Sequence, residues 1–219
     1  MTEWELKNPE YFEHQMDLNW KWHQSQTAYP MERGVFSSFA LSNDVSALGK
    51  TLDLCSGDGF YSYYFYSKRS SSVISIDFDP HAIKFAQKNY GHAKNIDFQL
   101  GDIRRDIPDG PFDNIIWDAA IEHFTEMEIA ELVARIKSVL KIGGVLSGYT
   151  IVEAGSGIKH LHQHEYEFHN KEDLVRFLKP HFKKVHVFST TYPDRTNLYF
   201  YATDGLLPFE TSDSVVVAD

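Results

Sequence analysis

The sequence predicts a single, doubly wound α/β domain: a mostly parallel seven-stranded sheet with an antiparallel C-terminal strand and helices on both faces. Three features predict it. Short apolar runs alternate with helical stretches between residues 50 and 150. Glycines and aspartates stand where several of those runs end. The 219 residues are 42% hydrophobic, enough for one well-buried core.

Residues 1–48 read as a helical extension. In it EYFEHQMDLNWKWHQ and MERGVFSSFALSND are two helices separated at Pro30. Residues 49–204 form the domain proper. KTLDLC is the first strand, GFYSYYFYSKR a helix and SVISID the second strand. DPHAIKFAQKNY is a helix with proline in its first turn. IDFQLGD and FDNIIWD are the third and fourth strands. EMEIAELVARIKSVLK is amphipathic and closed by Gly143 and Gly144 before the fifth strand, GVLSGYTIV. KEDLVRFLK adds a helix, and KVHVFST and NLYFYAT a closing hairpin. Residues 205–219 read as a flexible tail.

The formal charge of −10 sets 21 basic against 31 acidic residues. Such a surface repels phosphate backbones and anionic lipid, so neither nucleic acid nor membrane is an expected partner. Cys55 is the lone cysteine and cannot form an internal disulfide, which fits a reducing compartment. There is no basic-then-apolar leader and no apolar run near the roughly 18 residues of a membrane span. A cytoplasmic protein is expected.

The most informative segment is LDLCSGDGFYS, residues 52–62. A strand ends near Asp53, and Gly57 and Gly59 shape a turn that a ligand can approach closely. Asp77 ends the second strand roughly 20 residues beyond, where an acid can bind ribose hydroxyls. Asp102 ends the third strand, where it can accept from an adenine amino group with the Ile103 backbone beside it. Ser62 stands in place of the third glycine of a G-x-G-x-x-G turn, which argues against a nicotinamide cofactor.

In order and spacing, TLDLCSGDGF, VISIDFDP, QLGDI, FDNIIWDAAIEHF and LKIGGVL resemble the motifs of the class I S-adenosylmethionine-dependent methyltransferase superfamily. The resemblance spans residues 50–150. It implies a Rossmann-like fold with S-adenosylmethionine as methyl donor. Asp53, Gly57 and Gly59 would surround the methionine moiety, Asp77 the ribose and Asp102 the adenine. Cys55, Phe78, Ile103 and Asp118 complete the implied cofactor shell, Cys55 standing where the family usually has glycine.

Methyl transfer is an in-line displacement on carbon, with the sulfonium already activated. The protein must place the acceptor and, for a hydroxyl, help remove its proton. Three clusters offer groups for this. Asp118, Glu122 and His123 lie in WDAAIEHF. His123 is a candidate base, and Glu122 with His123 a candidate metal pair. Some quinone-type O-methyltransferases bind a metal through a similar acid-acid-histidine arrangement, but Ala119 replaces the first acid, so no metal is expected. HLHQHEYEFH, residues 160–169, holds four histidines. If the stretch is extended, His160, His162 and His164 share one side. His162 and His164 lead as candidate bases, with Glu165 and Glu167 near enough in sequence to orient an imidazole and Glu165 placed with the substrate. The third cluster is aromatic and basic: Trp20, Trp22, Tyr29 and Arg33 before the sheet, and Tyr192, Arg195 and Asn197 near its end. Trp22, Tyr29, Arg33 and Arg195 are expected acceptor contacts, the arginines suiting phosphate or carboxylate.

IIWDAA lacks the Asn/Asp-Pro-Pro-aromatic signature of enzymes that methylate base nitrogens. A small-molecule acceptor is expected: a sugar, a phosphorylated metabolite or another hydroxyl compound. O-methylation is preferred, with N-methylation of a small amine, or non-catalytic S-adenosylmethionine or partner binding, as alternatives.

Overall fold

The strands that read as unbroken apolar runs lie at the middle of the sheet. In a computed structural model describing residues 29–41, 46–155, 159–193 and 195–210, β1 (Lys50–Leu54) is buried from Thr51 onward. It pairs in parallel with β2 (Ser72–Asp77) on one side and β4 (Phe112–Asp118) on the other. β3 (Ile96–Leu100) extends the first side and β5 (Leu140–Ile151) the second. β6 (Lys184–Tyr192) and β7 (Arg195–Thr203) close the sheet as the expected hairpin, with β7 antiparallel to both neighbours. The order is β3-β2-β1-β4-β5-β7-β6. The chain reverses direction across the sheet between β1 and β4, and open α/β sheets bind ligands at the carboxyl ends of strands at such a point.

Alternation along the central strands feeds two layers. Leu52, Leu54, Ile115 and Trp117 join the larger core, under α4 (Glu126–Val139) and α5 (Lys171–Leu178). Ile116 faces the other way, against Leu41, Tyr66 and Val73. On that face lie α1 (Tyr29–Ser37), the short α2 (Phe60–Tyr64) and a 3-10 turn (Tyr66–Arg69). α3 (Pro80–Tyr90) starts with Asp79 as N-cap, its side chain accepting from the His81 N–H, and with proline in its first turn as the sequence predicts. α4 carries a full capping box between Thr125 and Glu128.

Two expectations change. Gly143 and Gly144 do not end α4: Leu140 passes directly from helix into strand and pairs with Phe112, while Val145 pairs with Asn114. The glycines accommodate the bulge between these pairs. Gly143 has φ 78°, and a Cβ on Gly144 would stand 2.7 Å from the Asp113 carbonyl oxygen. Pro30 stands in the first turn of α1, where its missing N–H costs nothing, and the helix expected before it lies outside the described residues. The stretch read as one helix after β1 divides into α2 and the 3-10 turn.

α1 lies along β5 and β7. Glu32 ties it there by accepting from Tyr192 Oη (2.6 Å), Tyr199 Oη (2.8 Å) and the Thr190 hydroxyl. Residues 205–210 are also tied down. Leu207 packs with Val145 and Tyr201, and Glu210 pairs with Lys184 at 2.6 Å. Residues 211–219, and most of the extension that precedes α1, lie outside the described residues. No helix among the described residues is long and apolar enough to cross a membrane.

Candidate active site

Beyond β1 the chain makes a turn with three left-handed residues: Cys55 (φ 58°), Gly57 (φ 56°) and Gly59 (φ 77°). Cys55 is therefore the one side chain in the turn that pays the left-handed penalty, which gives a physical reason for glycine there in the resembling family. The two glycines serve different needs. A Cβ at Gly59 would strike the Phe98 ring at 2.6 Å, whereas a Cβ at Gly57 meets nothing within 4 Å. Gly57 thus leaves open space above the turn.

Asp77 fixes this turn to the end of β2. Its carboxylate accepts from the Gly57 N–H at 2.8 Å and from the Asp79 N–H at 2.9 Å. Burial raises its pKa to about 6 against the pull of those donors. Asp53 is buried beneath the turn and accepts from Ser62 Oγ at 2.5 Å; burial raises it to about 8. Ser62, where a dinucleotide turn would carry glycine, is thus a partner for that acid. Phe78 is half-buried beside Asp77. Asp102, beyond β3, accepts from the Arg104 N–H at 3.0 Å and is flanked by the Arg104 and Arg105 guanidinium groups at 3.5 and 3.6 Å. The Ile103 side chain belongs to the core.

Asp118 ends β4 in a buried polar network. It accepts from Arg33 Nε (2.5 Å), Ser37 Oγ (2.7 Å) and Tyr66 Oη (3.3 Å). Burial still holds its carboxyl above the usual range. Arg33 also lies over the Tyr61 ring at 4.3 Å. Its charge is thus matched by an acid of this chain. Ser37 and Tyr66 carry no sequence signal, because nothing local marks which hydroxyl meets a distant carboxylate.

The other polar centre joins the segment after β4 to the histidine-rich loop. Glu122 is buried and accepts from Thr150 Oγ1 at 2.9 Å. Its backbone oxygen accepts from the Glu165 and Tyr166 N–H groups at 2.8 and 3.1 Å, pinning the loop against it. His123 Nδ1 lies 3.3 Å from the Gln163 carbonyl oxygen, and burial lowers its pKa, favouring the neutral ring. His164 is buried with Nδ1 2.5 Å from Glu167 Oε1. The His123 and His164 rings meet edge to face, centroids 4.9 Å apart.

The loop is not extended, which corrects the alternation expected for its histidines. Residues 160–165 form bends and a turn, so His164 is buried, His162 exposed and His160 half-buried. His160 Nε2 faces the Val152 carbonyl oxygen at 2.9 Å, and its N–H donates to Glu167. Glu165 projects outward, joined to Glu122 through its backbone alone among the described hydrogen bonds. Arg195 opens β7 opposite Tyr192, and its charge acts on Tyr149. Trp22 lies outside the described residues, as does the side chain of Tyr29.

The doubly wound sheet, the glycine turn and the acids at successive strand ends are those that the resemblance to class I S-adenosylmethionine-dependent methyltransferases predicts. Residues 51–144 match the family model described as a methyltransferase domain. No curated protein matches the sequence. Among solved structures, the N-methyltransferase NodS from Bradyrhizobium japonicum is similar at 16% identity and TM-score 0.68, over 82% of this chain and 98% of that one. DhpI in complex with S-adenosylhomocysteine follows at 17% and 0.61, over 84% of this chain and 85% of that one. TehB from Haemophilus influenzae is similar at 17% and 0.58, over 72% and 58%. At these identities the likeness is one of fold.

Proposed function

We propose that the chain transfers the methyl group of S-adenosylmethionine to a hydroxyl of a small molecule, such as a sugar or phosphorylated metabolite, in a cytoplasmic setting. Gly57 and Gly59 would take the methionine moiety, with Asp53 beneath them, Asp77 the ribose and Asp102 the adenine. Residues 1–48 would close over the acceptor, with Arg195 on its far side. The observation that carries the choice of hydroxyl is the pair of imidazoles, half-buried His123 and buried His164, beside Glu122 past the end of β4. Glu167 holds Nδ1 of His164, which leaves Nε2 as the atom able to take a proton. His123 replaces the exposed His162 as its partner in that role. The net charge of −10 supports an acceptor other than nucleic acid.

N-methylation of a small amine is the second reading, favoured by the likeness to NodS, which is described as an N-methyltransferase. The test is methyl transfer from labelled S-adenosylmethionine into metabolite extracts, with the linkage in the product read by NMR. A methyl ether supports the first reading and a methylamine the second. Cofactor binding by calorimetry without transfer to any acceptor would reduce the chain to a binder.

A further inference from the structure

We propose that Glu122, His123 and His164 bind one divalent transition-metal ion of the zinc or iron(II) type. We infer further that this ion takes the acceptor oxygen, a step that rests on the methyltransferase reading. Each of the three offers a ligand atom, and these atoms all lie within 4.8 Å of one another. Ligands at about 2.1 Å in a tetrahedron stand about 3.4 Å apart, so modest side-chain rotation closes the set around an ion.

The groups behind the three residues set them up as ligands. Glu167 accepts from His164 Nδ1 at 2.5 Å, so the lone pair of that ring sits on Nε2. The Gln163 carbonyl oxygen faces His123 Nδ1 at 3.3 Å and assigns its lone pair the same way. Thr150 donates to Glu122 Oε2 at 2.9 Å and fixes the carboxylate. A carboxylate or carbonyl behind each imidazole is the usual support of a metal-bound histidine. The backbone supplies the remaining rigidity, because the Glu165 and Tyr166 N–H groups both bind the Glu122 carbonyl oxygen. Ligands about 40 residues apart in sequence are thereby held in register.

Burial and charge point the same way. Glu122 and His164 are 4% and 3% exposed, and Glu167 Oε2 is buried with no hydrogen-bond partner. Two carboxylates around two imidazoles, largely out of water, are balanced by a cation. Two imidazoles and one carboxylate suit zinc or iron(II) better than magnesium or calcium, which prefer oxygen. Three protein ligands leave a coordination position open, the mark of a catalytic rather than structural site. There the ion would bind the acceptor hydroxyl; with Nε2 of His123 and His164 holding the ion in place of acting as bases, the proton would pass to solvent. The oxygen forms a bond to the methyl carbon, the carbon–sulfur bond breaks, and the sulfonium leaves as a neutral thioether.

The test is a titration of the chelator-stripped full chain with cobalt(II), followed by visible absorbance and by competition with zinc. One equivalent should bind and zinc should displace it. His123→Gln, at the half-buried ligand, should weaken cobalt affinity at least 100-fold. Glu167→Gln, behind His164, should weaken it about 10–100-fold. Both variants should keep native circular dichroism and S-adenosylhomocysteine affinity. Absence of stoichiometric cobalt in the wild-type chain overturns the site, as does unchanged affinity in folded His123→Gln and Glu167→Gln. Cofactor binding without cobalt binding overturns the metal alone. Cobalt binding without cofactor binding supports the site and overturns the methyl-transfer reading.

Discussion

At the ends of β1 and β2 the interacting groups come from one continuous stretch, residues 53–79: Asp53 with Ser62, Gly57 with Asp77, Asp77 with Asp79. At the ends of β4 and β5 they come from five separated segments, Tyr66 among them. Arg33 and Ser37 meet Asp118, while Glu122 meets Thr150 and the 160–167 loop. The first arrangement is set mainly by local turn geometry and strand register. The second exists only when a helix before the sheet and a loop after β5 both dock. A cofactor common to a whole class suits the first kind of construction, and an acceptor particular to one enzyme suits the second.

Substitutions should separate the two halves. The largest effect is expected in the assembled half: His123→Ala should lower turnover about 10²–10⁴-fold while S-adenosylhomocysteine affinity, measured by calorimetry, stays near wild type. Equal losses in both would mean that the halves are not separable. Arg33→Ala leaves Asp118 without its cation in a buried network. It should cost about 3 kcal/mol in urea unfolding, the low end for a broken buried pair because Arg33 keeps some exposure. A variant of wild-type stability that fails to bind an anionic acceptor would instead make Arg33 a substrate contact.

In the local half, Gly59→Ala drives a methyl group into Phe98 and should be about 2 kcal/mol less stable than Gly57→Ala, which suffers the left-handed backbone without the clash. Equal stability of the two would break the distinction between a packed and an open glycine. Asp77→Ala should weaken cofactor binding about 10–150-fold, from loss of charge-assisted hydrogen bonds of about 1.5–3 kcal/mol.

The smallest effect is a pH dependence. Asp77 titrates at about 6 in the fold, above its ordinary value of 3.8. The folded state therefore holds the proton more tightly than the unfolded chain. This stabilising contribution is complete below pH ~4 and lost as pH climbs through about 6. Cofactor affinity should run the opposite way, rising from pH 5 to 7 as the carboxylate proposed to bind the ribose ionises. Asp77→Asn should flatten both curves. A parallel rise of stability and affinity would remove Asp77 from the ribose.

The strands and the glycine turn were legible because each is a local pattern. Apolar runs mark buried strands, and a chain that must return to a parallel strand needs a crossover helix. Asp77 was legible because strand length and turn position put it at a known distance from Gly57. The histidine loop was legible in composition but not in geometry. Alternation holds only for extended chain, and here backbone bonds to Glu122 fold the loop so that His164 turns inward and His162 outward.

By itself, then, the sequence determined the strands of the sheet and the glycine turn, because these follow from periodicity and from spacings within one stretch of chain, while the chemical class came from the resemblance its motifs carry. Only the tertiary structure decided that Arg33 meets Asp118 and that Glu122, His123 and His164 converge. It also decided that Glu167 rather than Glu165 supports the imidazole. The first two depend on how docked segments meet in space, and no sequence period encodes the distance between side chains about 40–85 residues apart; the third follows from the way the docked loop folds.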